Sequence, residues 1–268
     1  ARARVTGVRG GRTRQRDDRL AVEEPLEIRV HGPGEAPVPV AVTMRTPGHD
    51  FELAAGFLLT EGIVTDPARV TRVAYCNGAA EQRYNVVTVT LADPLPAGAE
   101  RRVYATSSCG VCGKATLDAV EVMCHPPGPG PVVAATALTR MARALRDHQP
   151  GFSRTGGLHA AGLFTAAGDL LAAREDVGRH NAVDKLVGWA ALNRRLPLTD
   201  LVIVVSGRLG FEILQKAAVA GCPAVAAVSA PTSLAVDAAH RLGVTAIGFL
   251  RDGGFNVYAH PERVDLDA

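Results

Sequence analysis

Residues 126–131, Pro-Pro-Gly-Pro-Gly-Pro, constrain this 268-residue chain more than any other stretch. Four prolines in six positions pin φ and remove backbone donors, so the segment is neither helix nor central strand. We read residues 124–137 as a linker. The patterns on its two sides differ. Before it, residues 26–31 and 38–45 alternate apolar and polar side chains, as a half-buried hairpin does. Asp50, after Pro47-Gly48, stands where a cap is expected for a helix through Glu52-Leu53-Ala54-Ala55-Gly56-Phe57-Leu58-Leu59, with Gly62 past its end. Residues 70–76, 84–91 and 101–106 read as three more strands. The order β-β-α-β-β-β predicts an α+β roll with its helix on one sheet face.

After the linker come a helix at 138–148, a hairpin at 157–165 and 170–176, and a helix at 178–193. A strand at 201–206, a helix at 211–220, a strand at 224–229, a helix at 233–242 and a strand at 245–250 follow, with an edge strand at 255–260. Residues 201–205 are continuously apolar, as expected where both sheet faces are covered. The pattern predicts a three-layer α/β domain with a mostly parallel sheet. The expected organisation is a disordered basic tail at 1–19, an α+β domain at 20–132 and the α/β domain at 133–268.

Composition removes several function classes. With 47% apolar and 21% charged residues, the chain buries enough surface to fold. A net charge of +2 and 4% aromatic residues fit neither a dedicated nucleic-acid binder nor a base-stacking platform. Seven arginines against Asp17 and Asp18 make residues 1–19 strongly basic, but no apolar run marks a secretory signal. Five cysteines are too few, and of the wrong parity, for a secreted disulfide scaffold. A reducing, cytoplasmic setting is expected. Residues 217–236 carry no charge for twenty positions, yet Gly221, Pro223 and Pro231 interrupt them. They read as a helix end, a buried strand and the next helix start, not a membrane span.

The sharpest motif is Ser107-Ser108-Cys109-Gly110-Val111-Cys112-Gly113-Lys114. It falls after an expected strand and before an expected helix at 114–123. A thiol at a helix N-terminus is favoured as thiolate by the free N–H groups and the macrodipole, and Lys114 adds positive charge. Glycines on either side allow a large partner to approach the sulfur. Three readings remain open at this point. One is half of a zinc site completed by Cys124 and His125, although C-x2-C-x11-C-H is not a standard spacing. Another is a thioredoxin-like dithiol, which belongs near a βαβ start. The third is a cysteine that carries sulfur as a persulfide. Cys76 and Cys222 are expected to be small buried apolar residues.

Three polar loops follow strands in the second half. Arg174-Glu175-Asp176-Val177-Gly178-Arg179-His180-Asn181 opens a helix, where free N–H groups attract anions; Asp and Asn are also ordinary cap residues. Ser206-Gly207-Arg208-Leu209-Gly210 lacks the P-loop pattern. Phe249-Leu250-Arg251-Asp252-Gly253-Gly254 leaves the last parallel strand. Crevices outside such strand ends bind ligands in open α/β sheets, and an anionic, nucleotide-like ligand fits Arg179, His180, Arg208 and Arg251. His159 reads either as a wall residue or as a site residue. Zinc deamination is not expected, because H-x-E is replaced by His159-Ala160-Ala161.

These motifs, with Asn181-Ala182-Val183-Asp184-Lys185 and Tyr258-Ala259-His260-Pro261, occur in the order found in one family. Over residues 20–264 the chain resembles the formate dehydrogenase accessory proteins. The resemblance implies a sulfurtransferase of molybdenum cofactor maturation. A cysteine desulfurase would load sulfur on Cys109 as a persulfide, with Cys112 assisting. The acceptor would be the molybdenum of bis(molybdopterin guanine dinucleotide), destined for formate dehydrogenase. By the same resemblance Phe249, Leu250, Arg251, Asp252, Gly253 and Gly254 form a cofactor-binding segment, and on grounds of charge His180 and Arg208 are expected to join it. It further implies a cytidine-deaminase-like second domain without zinc, and a homodimer. Neither nucleic acid nor membrane is an expected partner.

Overall fold

Leu26, Ile28 and Val30 alternate along β3 (Glu24–His31) and are fully buried, while the residues between them are partly exposed. This alternation fixes which face of the first sheet meets the core. β3 pairs antiparallel with β4 (Val38–Arg45) and parallel with β6 (Val86–Leu91). β5 (Val70–Tyr75) completes the order β4-β3-β6-β5. α1 (Asp50–Thr60) lays Leu53, Ala54, Leu58 and Leu59 on the inner face, against Val87 and Val89. This computed structural model describes residues 1–76, 84–95 and 126–267. The expected strand at 101–106 and helix at 114–123 lie outside them.

Asp50 does not cap α1. His49 occupies the N-cap in the left-handed region at φ 58°, and Asp50 is the first helical residue. Its buried carboxylate accepts hydrogen bonds from Arg45 Nε and Nη2, the Tyr75 hydroxyl and the Gly48 N–H. A fully buried guanidinium needs such a partner, and that demand overrides the usual cap geometry.

The second lobe holds a six-stranded sheet among the described residues, in the order β13-β12-β11-β10-β8-β9. Its strands are β8 (His159–Thr165), β9 (Leu170–Asp176), β10 (Leu201–Val205), β11 (Ala224–Ala227), β12 (Thr245–Arg251) and β13 (Gly254–Ala259). Only β10-β11 and β11-β12 are parallel; the other three pairings are antiparallel. The expected mostly parallel sheet is therefore a mixed one. Short turns close β8-β9 and β12-β13, and a short turn joins only antiparallel neighbours.

α2 (Ala135–Asp147) covers one sheet face with Leu138, Met141 and Leu145. α4 (Arg179–Leu192), α5 (Phe211–Val219) and α6 (Ser233–Leu242) cover the other. Three layers result. A short α3 (Pro150–Thr155) precedes β8, and β7 (Val133–Ala134) pairs with β14 (Val264–Asp265). Residues 217–236 run through the end of α5, buried β11 and the start of α6, as expected. Among the described residues no helix is long and apolar enough to cross a membrane.

The lobes meet where α1 crosses α4. Gly56 and Gly188 lie back to back. A Cβ on Gly56 would strike the Asp184 carbonyl, and one on Gly188 the Glu52 carbonyl. The crossing thus exists only because neither position has a side chain.

Residues 1–19 are not a disordered tail. β1 (Arg2–Arg9) and β2 (Arg12–Arg19) form an antiparallel hairpin in full register. Gly10 and Gly11 turn it with φ of 55° and 73°, the double positive φ that a two-residue hairpin loop requires. Charge composition pointed to a tail; the glycine pair between two extended runs was the signal for a hairpin.

Candidate functional site

The C-terminal ends of β10, β11 and β12 lie side by side, so the loops that follow them line one edge of the sheet. Neighbouring strands are about 4.8 Å apart, which puts Ser206, Ser229 and Phe249 in a row spanning about 10 Å. β8 runs antiparallel to β10, and its first residue, His159, therefore reaches the same edge. The loops are stitched together. Ser206 Oγ accepts the Ala160 N–H at 2.8 Å, and the Leu209 N–H donates to the Ala230 carbonyl at 3.2 Å. The Phe249 N–H donates to the Ser229 carbonyl at 3.1 Å.

His159 is half-buried beside Gly207, whose added Cβ would sit 3.4 Å from the imidazole Nδ1. Burial first, and then the positive charges of Arg179 and His180, hold its pKa below the usual histidine value, against the opposing pull of Asp176. A neutral ring faces the edge at neutral pH. It can accept or donate a hydrogen bond without adding charge. Sequence alone left His159 open between wall and site; in the fold it stands close enough to Arg179 and His180 to feel their charge.

The α4 entry segment divides its residues between two tasks. Arg179 and His180 sit on the first turn, and His180 Nε2 lies 2.8 Å from Glu212 Oε2 on α5. The rest turns inward to the first lobe. Lys185 Nζ lies 2.7 Å from Asp176 Oδ2 and donates to the Thr46 carbonyl at 2.8 Å. Asn181 donates to the Met44 carbonyl and to Asp176, while the Thr46 N–H donates to Asp176 Oδ2. Asp184 accepts from Lys216 and from the Thr60 hydroxyl. Desolvation pulls the Lys216 pKa down, but Asp184 and Glu61 more than offset it and hold the ammonium above the usual lysine range. Half of this polar segment is thus an inter-lobe fastener. Sequence reasoning missed that role because the partners lie up to 139 positions away.

Arg208 is exposed at the head of its loop. Phe249 adopts φ 55° with 40% of its surface exposed. A left-handed conformation costs a non-glycine residue about 1–2 kcal/mol, so the backbone presents this ring at some expense. Leu250 departs from the expected ligand segment. It is fully buried in the α2-side core together with Ile247, three residues before it. Strict alternation would part the two, but β12 is irregular between Gly248 and Arg251, where Phe249 turns left-handed, and this returns Leu250 to that side. Arg251, Asp252 and Gly253 are exposed in the β12–β13 turn, with Asp252 3.8 Å from Arg143. Gly254 starts β13 at φ 146°, a value open to glycine alone.

Cys109 and Cys112 lie outside the described residues, as do Lys114, Cys124 and His125. Cys222 is a buried thiol whose pKa burial pushes up to about 12, an unreactive structural residue as expected. Cys76 follows β5 and is half-buried, more open than expected.

Over residues 21–265 the sequence matches the FdhD/NarQ family. The chain belongs to that family. FdhD relatives match along essentially their whole length. One from Mycolicibacterium paratuberculosis, named sulfur carrier protein FdhD, is 51% identical, with 98% of each chain covered. A protein of the same name from Streptomyces coelicolor is 51% identical, covering 100% of this chain and 96% of its own. A candidate formate dehydrogenase accessory protein from Desulfotalea psychrophila superposes with a TM-score of 0.79 at 24% identity, over 99% of both chains. At that identity the superposition establishes the shared fold.

Proposed function

We propose that this protein is a sulfurtransferase of molybdenum cofactor maturation that carries sulfur as a persulfide on Cys109. The observation that supports this most is end-to-end similarity to proteins named sulfur carriers, in a chain that holds Cys109 and Cys112 with two residues between them. The Cys109 thiolate attacks the outer sulfur of a cysteine desulfurase persulfide. One S–S bond breaks as another forms, and the donor leaves as a thiolate. Delivery as sulfide needs two electrons. Cys112 supplies them with Cys109 by attacking Cys109 Sγ, which expels hydrosulfide and leaves a Cys109–Cys112 disulfide.

The acceptor in this reading is bis(molybdopterin guanine dinucleotide), held as substrate before its insertion into formate dehydrogenase. The strand-end row fits its anionic, aromatic character. Arg179, Arg208 and Arg251 offer guanidiniums to pyrophosphate, His159 and His180 add imidazoles, and the exposed Phe249 ring is suited to stacking on a base. The rest of the reading is a cytoplasmic homodimer whose second lobe is a zinc-free counterpart of the cytidine deaminases, with Ala161 where those enzymes carry a general-acid glutamate.

The test is mass spectrometry of the Cys109 peptide after incubation with a cysteine desulfurase and cysteine. A one-sulfur adduct is expected on the native protein, none on Cys109→Ala, and a persistent adduct on Cys112→Ala. Unchanged labelling in Cys109→Ala overturns the assignment. Cofactor binding with no sulfur adduct at all would favour a non-catalytic cofactor chaperone.

A further inference from the structure

The hairpin β1–β2 lies outside the stretch that matches the family, which begins at residue 21, and the sulfur chemistry above makes no use of it. Its register sorts the arginines by face. Residues opposed in an antiparallel pair share a face, and the pairs are Ala3 with Asp18, Val5 with Arg16, Gly7 with Arg14, and Arg9 with Arg12. One face therefore carries Arg9, Arg12, Arg14 and Arg16 above the small residues Ala3, Val5 and Gly7, with Asp18 at its end. The opposite face holds Arg2, Arg4 and Arg19, with Asp17 among them. All seven guanidinium-bearing residues are exposed.

Arg16 is steadied by Asp18 at 3.0 Å. Among the described residues, β1 and β2 pair only with each other, so each leaves its outer edge unpaired. Alternate residues of a strand are about 6.6–6.8 Å apart, and Arg12, Arg14 and Arg16 form a ladder at that spacing.

We infer that the hairpin is a docking arm for an extended acidic segment of a partner protein, one with carboxylates at alternate positions laid along β2. A strand added there would place its side chains about 4.5–5.5 Å from those of β2. Each carboxylate then meets one guanidinium, whose fork matches it in a bidentate pair. Arginines on an open edge repel basic strands, and an uncharged strand would desolvate them without a counter-charge, which narrows the partner to an acidic one. A nucleic acid fits less well. Residues 1–19 contain no aromatic ring to stack a base, and Asp17 and Asp18 interrupt the positive track.

The test uses the full-length protein and fluorescence anisotropy with three labelled probes of equal charge. They are a peptide alternating Glu and Thr, a peptide of the same composition with its Glu in one block, and an oligothymidylate. The alternating peptide is expected to bind best, and to weaken as salt rises. The triple variant Arg12→Glu, Arg14→Glu, Arg16→Glu should lose at least about tenfold in affinity for it, and Arg2→Glu with Arg4→Glu less than about threefold. Circular dichroism checks that both variants stay folded. Tighter binding of the oligothymidylate, equal binding of the two peptides, or equal losses from both faces would overturn the inference.

Discussion

Replacing Gly188 by alanine puts a methyl group into the crossing of α1 and α4. That group would meet the Glu52 carbonyl and the Gly56 backbone nitrogen inside any normal Cβ contact. Both obstacles are main chain, so no side-chain rotation relieves them. The helix axes have to separate by about 1–2 Å before ordinary van der Waals distances return. Overpacking of this kind costs about 1–3 kcal/mol, and a backbone obstacle belongs at the upper end. Alanine recovers about 0.8–1.0 kcal/mol of helix propensity over glycine. A net loss of about 2 kcal/mol remains, which lowers Tm by about 4–8 °C at the 2–4 °C per kcal/mol usual for larger domains. Thermal and urea unfolding followed by circular dichroism measure it. Gly56→Ala should behave alike, and the double variant should lose less than the sum of the two, because the first methyl group already parts the helices. Gly210→Ser is the control. Gly210 has φ −91° and no atom within 4 Å of a built Cβ, so the change stays within about 0.5 kcal/mol. A Gly188→Ala protein as stable as the parent would refute the close crossing.

Three other outcomes are expected. Lys185→Met leaves Asp176 buried without its cation and should destabilise the protein by about 3–5 kcal/mol in urea unfolding; a loss under about 1 kcal/mol would contradict a buried pair. Burial opposes ionisation of Glu52, but the paired hydrogen bonds from Arg174 prevail and hold its pKa below the ordinary value. Between the folded and unfolded values the unfolded chain binds more protons, so this contribution is complete above the unfolded value and disappears as pH falls through the folded one. Arg174→Met should therefore flatten the acid limb of a stability–pH curve, and an unchanged limb would speak against the pair. By NMR, His159 should titrate below the usual histidine midpoint, and a guanosine phosphate bound at the strand ends should move that midpoint upward. A midpoint insensitive to a demonstrably bound nucleotide would remove His159 from the site.

Local patterns were legible wherever local physics decides. The alternation of Leu26, Ile28 and Val30, the unbroken apolar run of β10 and the glycine and proline punctuation located most of the described elements to within a few residues, but not β1, β2, β7, α3 or β14. The strand and helix patterns differ on the two sides of the proline run, and the ordered set of short motifs led to the family. Spacing along the chain could not say which way a polar side chain turns. Asp176 and Asn181 read as part of an anion site, yet with Lys185 they bind the end of β4 and the turn after it, because a buried charge takes whatever partner folding brings beside it. The Leu250 side chain turns into the α2-side core through the irregularity of β12 at Phe249, and the sheet became mixed through two short turns. The basic N-terminal stretch looked like a tail by composition, and only pairing in register showed it to be a ribbon with an arginine face. The sequence by itself thus determined most of the elements, the family and the two cysteines of the sulfur proposal, since each rests on neighbouring residues or on motif order. The tertiary structure decided which charges hold the lobes together and which face the strand-end row, because that choice depends on contacts between residues far apart in the chain.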